Sequence, residues 1–71
     1  MPELAAVWKY NQQDDYYSCY TSHWYWMIYH KQNTFQVQRS PKLNRVNPAV
    51  VIGSFSTLKK AQRIVILIEQ G

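Results

Sequence analysis

The segment that decides the fold of this chain is Trp24–Tyr29, which reads WYWMIY. Aromatic and β-branched side chains favour extended backbone, so this segment predicts a β-strand. Successive side chains on a strand point to opposite faces, which groups Tyr25, Met27 and Tyr29 on one face and the two tryptophans with Ile28 on the other. Because both faces are apolar, we expect the strand to lie inside a sheet or to contact a partner.

Other segments with a strand-like pattern flank this one. In chain order, the extended segments are residues 5–12, 16–30, 34–39 and 49–52. Turn-forming residues separate them at 13–15 and at Gln32–Asn33, and Gly53 and Ser54 are expected to end the last strand. We therefore predict a small antiparallel sheet of three to four strands over residues 16–52, with a possible extra N-terminal strand at 5–12.

A single helix is predicted at the C-terminal end, over residues 57–70. Ser56 or Thr57 can cap its first turn. At about 100° per residue, an apolar stripe with a helical period follows the cap. The stripe consists of Leu58, Ala61, Ile64, Val65 and Ile68. Residues 63–68 are rich in β-branched side chains, so a last strand is the alternative, but the upstream cap and spacing favour the helix. The predicted fold class is α+β, with residues 1–71 forming a single domain whose sheet packs against one helix.

Length and composition narrow the function classes. With 71 residues and one cysteine, Cys19, the chain has no internal disulfide. Cys19, His23 and His30 lack the paired spacing of a zinc site, so neither a metal nor a cofactor is expected. No orienting carboxylate lies near Cys19 in the sequence and the domain is small for a substrate cleft, so we predict that the chain is not an enzyme. The N-terminus lacks the pattern of a secretory signal and the apolar runs are short, which predicts a cytoplasmic protein without a membrane span.

The distribution of charge is informative about partners. The net charge is +4, and all four acids lie towards the two ends of the sequence. Between residues 16 and 68 there is no acid, whereas seven lysines and arginines fall in that stretch. A region of one sign attracts polyanions, so the pattern favours nucleic acid as a ligand. A basic surface that only keeps the protein soluble is the plainer alternative.

The segment Val51–Ala61, VIGSFSTLKKA, resembles the strand-to-helix corner of the plant ethylene-response-factor type DNA-binding domain and of the arm-binding domains of phage integrases. Residues 35–42, FQVQRSPK, are similar to the middle strand of that family and its basic turn. The resemblance covers about residues 24–68. It implies a three-stranded sheet on one helix, with the exposed sheet face in the DNA major groove, Gly53 permitting the turn and Phe55 filling the gap between sheet and helix. The chain departs from the family in its first strand, where DNA-contacting arginines are replaced by the aromatic segment Trp24–Tyr29.

Two functions follow from these features. The first is a small basic nucleic-acid-binding module, with DNA more expected than RNA, that uses a sheet face and a basic loop. The residues predicted to contact nucleic acid are Tyr25, Tyr29, Lys31, Gln36, Gln38, Arg39, Lys42 and Arg45. The alternative is a small phage-type adaptor or inhibitor of host machinery, such as an anti-defence protein, that binds an acidic protein partner. Ile66 and Leu67 fall outside the apolar stripe of the helix and predict an interface, for which a homodimer is one candidate.

Overall fold

The computed structural model describes residues 8–42 and 49–71, which form one antiparallel sheet and one helix. The strands lie side by side in chain order, β1-β2-β3-β4-β5. The elements are β1 Lys9–Asn11, β2 Tyr16–Tyr20, β3 Trp24–Lys31, β4 Thr34–Pro41, β5 Val50–Phe55 and α1 Leu58–Gln70. The predicted α+β class, with an antiparallel sheet and a C-terminal helix, is confirmed. The sheet has five strands rather than the three to four predicted.

The extended segment that begins at Tyr16 is divided into two strands by a short loop at residues 21–23. The backbone N–H of Thr21 donates to the carbonyl oxygen of Trp24 at 2.9 Å, and the Thr21 hydroxyl donates to the same oxygen at 3.3 Å. The chain reverses there, so that β2 pairs with β3 and Tyr20 lies opposite Tyr25. Threonine and serine hydroxyls satisfy backbone groups locally, which is why a loop forms inside a sequence that otherwise favours strand.

The last strand continues through Gly53 and Ser54, so the prediction that these residues end it is wrong. Ser54 lies opposite Gln36 and Phe55 opposite Phe35 in the ladder with β4. The register shifts at Val37 and Gln38, because β5 carries one extra residue between the partners of these two positions. This irregularity has the form of a β-bulge, where glycine is common. Gly53 therefore lies at a bulge within the strand and not at a turn.

The two predicted turns are present, at residues 12–15 and at Gln32–Asn33. Each contains one residue with left-handed backbone, Asp15 with φ 52° and Gln32 with φ 54°. The Asn11 side chain accepts a hydrogen bond from the backbone N–H of Asp14 at 3.0 Å, as is usual for an asparagine that begins a turn. Both turns place consecutive strands antiparallel and adjacent, which produces the simple strand order.

The helix begins after Thr57, whose hydroxyl accepts a hydrogen bond from the backbone N–H of Lys60 at 3.2 Å. It packs across β3, β4 and β5 on one face of the sheet. Ala61 and Val65 are fully buried against the sheet. The other members of the predicted stripe pack around them, which confirms both the helix and its apolar face. The buried core under the helix consists of Cys19, Trp26, Ile28, Val37, Ala61 and Val65.

Candidate nucleic-acid interface

The sheet face opposite α1 is rich in tyrosine, and we call it the tyrosine face. Residues directly opposite each other in neighbouring strands share a face. Tyr16 lies opposite Tyr29, and Tyr29 lies opposite Gln36. By the same register, the part of the face formed by β2, β3 and β4 contains Tyr16, Ser18, Tyr20, Tyr25, Met27, Tyr29, Gln36, Gln38 and Ser40, and Lys9 of β1 lies opposite Ser18 on the same face. Trp26, Ile28 and Val37 alternate with these positions and are buried on the helix side, so no described element covers the tyrosine face.

The four tyrosines form two cross-strand pairs. The rings of Tyr16 and Tyr29 are stacked, with centroids 5.0 Å apart and an interplanar angle of 24°. The rings of Tyr20 and Tyr25 lie 4.6 Å apart at 35°. A 3.5 Å contact between the hydroxyls of Tyr16 and Tyr25 joins the two pairs. Because the rings support one another, the face presents an ordered aromatic surface and not four independent side chains.

Hydrogen-bonding groups lie between and beside the two tyrosine pairs, since Met27 and Gln38 lie between the pairs and Gln36 lies opposite Tyr29. Met27 is only 8% exposed, and its sulfur accepts a hydrogen bond from the Tyr29 hydroxyl at 3.5 Å. Burial is the first cause that raises the pKa of Tyr29, followed by the charge of Tyr25 and of Asp14, so the phenol remains a neutral donor. The amide nitrogen of Gln38 donates to the side-chain oxygen of Gln36 at 2.7 Å. An amide has two donor hydrogens and an acceptor oxygen, so this pair retains capacity to bind the edge of a base.

Lysines lie at both ends of the tyrosine face. The Lys42 ammonium lies 5.6 Å from the centroid of the Tyr20 ring and donates to the Thr21 carbonyl oxygen at 3.3 Å. Lys31 is exposed at the other end, opposite Thr34 beside the β3–β4 turn. Among the described residues, acidic side chains lie on no strand: they are Asp14 and Asp15 in the first turn and Glu69 on the helix. Two cations thus frame an aromatic surface on strands without acids, which suits an extended polyanion.

The structure brings together most of the residues that the sequence predicted for this function. Those that lie on the tyrosine face or at its ends are Tyr25, Tyr29, Lys31, Gln36, Gln38 and Lys42. Arg39 lies on the helix side, where its guanidinium carbon is 4.0 Å from the centroid of the Trp24 ring. On β4 it alternates with Gln36 and Gln38, like Phe35 and Val37, and it opposes Trp26 on β3, so it does not lie on the tyrosine face. Arg45 lies outside the described residues.

Sequence reasoning missed two of the four tyrosines of the face, Tyr16 and Tyr20. The signal was available in the segment YYSCY, where these tyrosines alternate with Tyr17 and Cys19. Recognising β2 as a separate strand paired with β3 would have put them opposite Tyr29 and Tyr25. They were missed because the loop at residues 21–23 has no glycine or proline to mark it.

The three residues considered for catalysis or metal binding, Cys19, His23 and His30, lie in different surroundings. Cys19 is 3% exposed in the core, and burial, with a smaller contribution from Glu69, raises the pKa of its thiol to about 11. His23 is exposed in the loop after β2. His30 stacks on Phe35 with centroids 4.6 Å apart, and its Nδ1 lies 3.4 Å from a carboxylate oxygen of Asp15. Within residues 8–42 and 49–71, no three potential ligands come together as a metal site.

Of the two residues predicted as an interface on the helix, only one is open to solvent. Leu67 is 52% exposed, whereas Ile66 is half-buried. The described part of the chain contains no helix long and apolar enough to cross a membrane. Comparisons with protein-family models, with curated proteins and with solved structures found no match to this chain.

Proposed function

We propose that the chain is a small binding module that holds single-stranded nucleic acid, DNA more readily than RNA, on its tyrosine face. The observation that carries the proposal is the arrangement of two tyrosine pairs between two lysines, on a sheet face that no described element covers. Stacking of a base on an aromatic ring stabilises a complex by about 1–3 kcal/mol per base and tolerates any sequence. The lysines add attraction to phosphates at both ends.

The tyrosine face favours unpaired bases over a duplex. In a duplex the flat surfaces of the bases are stacked on one another, and a protein reads only the base edges, mainly with arginine, lysine, asparagine or glutamine. The strand that a related domain would insert into the major groove has Tyr25, Met27 and Tyr29 on the open face here. The tyrosine rings can stack on bases that are not already stacked in a duplex, as in a single strand. Our proposal therefore shares the sheet-and-helix architecture with the major-groove family that the sequence resembles, but it replaces duplex DNA by a single strand as the ligand.

A protein partner is the second candidate, and one observation favours it. Val51 is 54% exposed and lies opposite Gln38, at the edge of the tyrosine face. Tyrosine and methionine with a neighbouring exposed valine are typical of the buried centre of a protein interface. An adaptor or inhibitor that meets an acidic partner would use the same lysines. Absence of nucleic-acid binding, together with stable capture of an acidic protein, would support this second function.

Fluorescence anisotropy with labelled oligonucleotides tests the proposal. We expect Tyr20→Leu to weaken binding of a single-stranded DNA of about ten nucleotides by roughly 5- to 100-fold, because one stacking ring is lost. Tyr10→Leu is the matched control, since Tyr10 and Tyr20 are both 50% exposed and each contacts one other tyrosine ring, but Tyr10 lies opposite Tyr17 on the helix side. That control should bind like the wild type.

The dependence of affinity on salt concentration and the comparison of single-stranded with duplex DNA provide two further tests. The logarithm of the association constant should fall linearly with the logarithm of salt concentration, with a slope of about −0.7 for each phosphate neutralised on a single strand. Duplex DNA of the same length should bind more weakly than the single strand. Equal effects of Tyr20→Leu and Tyr10→Leu, or no binding to any oligonucleotide at about 50 mM salt, would contradict the proposal.

A further inference from the structure

Arg39 occupies an unusual position on the helix side of the sheet. Its guanidinium carbon lies 4.0 Å from the centroid of the Trp24 ring and 5.5 Å from that of Trp26. The side chain is half-buried. Within the described residues it forms no ion pair or hydrogen bond, and these ring contacts are its only polar interactions.

A guanidinium stacked on an indole is held in a fixed plane while its N–H groups remain directed outward from the ring edge. Such a fork matches two oxygens of a phosphate or carboxylate. Because the Arg39 guanidinium has no acceptor among the described residues, this side of the fold is suited to an anion. None of the three described acids, Asp14, Asp15 and Glu69, forms an ion pair with Arg39, and Asp15 contacts Tyr10 and His30 instead.

The position of Arg39 relative to Lys42 indicates where that anion comes from. The two residues are three positions apart at the end of β4, where Pro41 lies opposite Trp24 in the last pair with β3. Lys42 lies on the tyrosine face beside Tyr20, and Arg39 lies on the other side of the same end of the sheet. At about 3.3 Å per residue, their Cα atoms are roughly 10 Å apart along the strand, and because their side chains lie on opposite faces a ligand that contacts both must pass around the end of the sheet.

We infer that Arg39 binds a phosphate of the same single strand after the strand has left the tyrosine face. The bases stack on the tyrosines, the backbone passes Lys42 and crosses the sheet end formed by Trp24 and Pro41, and the next phosphate meets the Arg39 fork. This inference rests on the proposed function and adds a length requirement to it. A strand that only covers the tyrosine face does not reach Arg39, whereas a longer strand does.

Oligonucleotide length is the variable that tests this path. Single-stranded DNAs of about four and about ten nucleotides are titrated against the wild type and against Arg39→Gln. The matched control is Lys59→Gln, which removes the same charge from an exposed position on the helix. We expect Arg39→Gln to weaken binding of the long DNA by about 10-fold, as for loss of a charge-assisted bidentate contact, with little change for the short DNA. The control should leave both affinities within about 2-fold, because screening weakens the effect of a distant exposed charge.

Arg39→Lys distinguishes the contribution of the planar guanidinium from that of its positive charge. It also provides a second test if Arg39→Gln is less stable than the wild type. Lysine keeps the charge but lacks the planar fork, so we expect a loss on the long DNA that is smaller than for glutamine yet larger than for the Lys59 control. If Arg39 variants change both lengths equally, or neither, while the wild type binds, the inference is overturned and the proposed function stands. If the wild type binds neither length, the proposed function fails and takes the inference with it.

Discussion

At the scale of the residue, alternation along β4 decides which of its predicted site residues lie on the tyrosine face. Gln36 and Gln38 share one parity and lie on the tyrosine face, whereas Arg39 follows Phe35 and Val37 to the helix side. The charge of Arg39 suggested a role beside the lysines, but side-chain direction on a strand is set by parity and not by charge. The contact with Trp24 was not predictable from the sequence, because it depends on the register that places Trp26 directly opposite Arg39 and Trp24 diagonal to it.

Cys19 gives a prediction about alkaline pH. Burial favours the neutral thiol in the folded state, so the pKa rises from 9.0 to about 11. A raised folded-state pKa contributes stability below the unfolded value, and that contribution is lost as the pH rises from about 9 to about 11. We expect the free energy of unfolding to fall over this window by on the order of 1–2 kcal/mol from this group. Thiol-reactive reagents should also modify Cys19 slowly in the folded protein at neutral pH.

The measurement is urea unfolding of wild type and Cys19→Ala at pH 7, 9 and 10. Tyrosines titrate in the same range, so only the difference between the two proteins reports the thiol. The difference in free energy of unfolding should shrink as the pH rises, because only the wild type has a thiol to ionise. A difference that stays constant from pH 7 to pH 10 would show that the thiol pKa is not raised by folding.

At the scale of the element, the helix was predictable to within a residue and the strands less so. Thr57 and the apolar stripe are local signals, and the observed helix Leu58–Gln70 follows them. The loop between β2 and β3 and the continuation of β5 through Gly53 depend on pairing between distant strands. A glycine predicts a break when read alone, whereas in the sheet it accommodates a bulge opposite Val37. The helix, which depends on local spacing, was therefore predicted, whereas the strand boundaries that depend on pairing between distant strands were not.

The turn between β3 and β4 gives a second prediction. Gln32 has φ 54°, in the left-handed region that costs about 1–2 kcal/mol for a residue with a Cβ. Gln32→Gly should relieve this cost and, after the extra backbone entropy that glycine loses on folding, raise the free energy of unfolding by about 0.5–1 kcal/mol. Asn33→Gly is the matched control, since Asn33 has no positive φ, and it should lower stability slightly. The melting temperatures of both variants test this prediction. An Asn33→Gly control with a melting temperature as high as that of Gln32→Gly would contradict it.

At the scale of the whole molecule, the strand order explains how a short chain builds two distinct surfaces. Every strand pairs with its neighbour in sequence, so alternation sorts the aromatic residues onto both faces of one sheet. Trp26 is buried in the core under the helix with Trp8 and Trp24 packed against that core, and four tyrosines lie on the open face. Composition predicted an aromatic, basic domain, and the paired register explains why the tyrosines form an organised surface. Composition does not distinguish the two classes of ligand, because aromatic and basic residues suit both nucleic acid and acidic proteins.

Exposed apolar side chains on the helix and on the edge strand predict self-association of the protein. The large apolar side chains that are open to solvent include Leu67 on the helix and Val50 and Val51 on the edge strand β5. A two-fold contact that covers such residues would give the homodimer that the sequence predicted, with Leu67 in it and the half-buried Ile66 at its margin. Like charges on a chain of net charge +4 oppose this contact, so we expect it to strengthen as salt screens them. Nucleic-acid binding should respond to salt in the opposite sense.

Light scattering over a concentration series measures this directly. The apparent mass should rise from the 8.5 kDa of one chain towards twice that value, and should rise at lower protein concentration when salt is added. Leu67→Lys should keep the mass of one chain without loss of folding, since its side chain is 52% exposed. Gln70→Lys adds the same charge at another exposed helix position and is the control. A wild type that stays at the mass of one chain at high salt and high concentration would remove the homodimer and leave Leu67 as an ordinary exposed leucine.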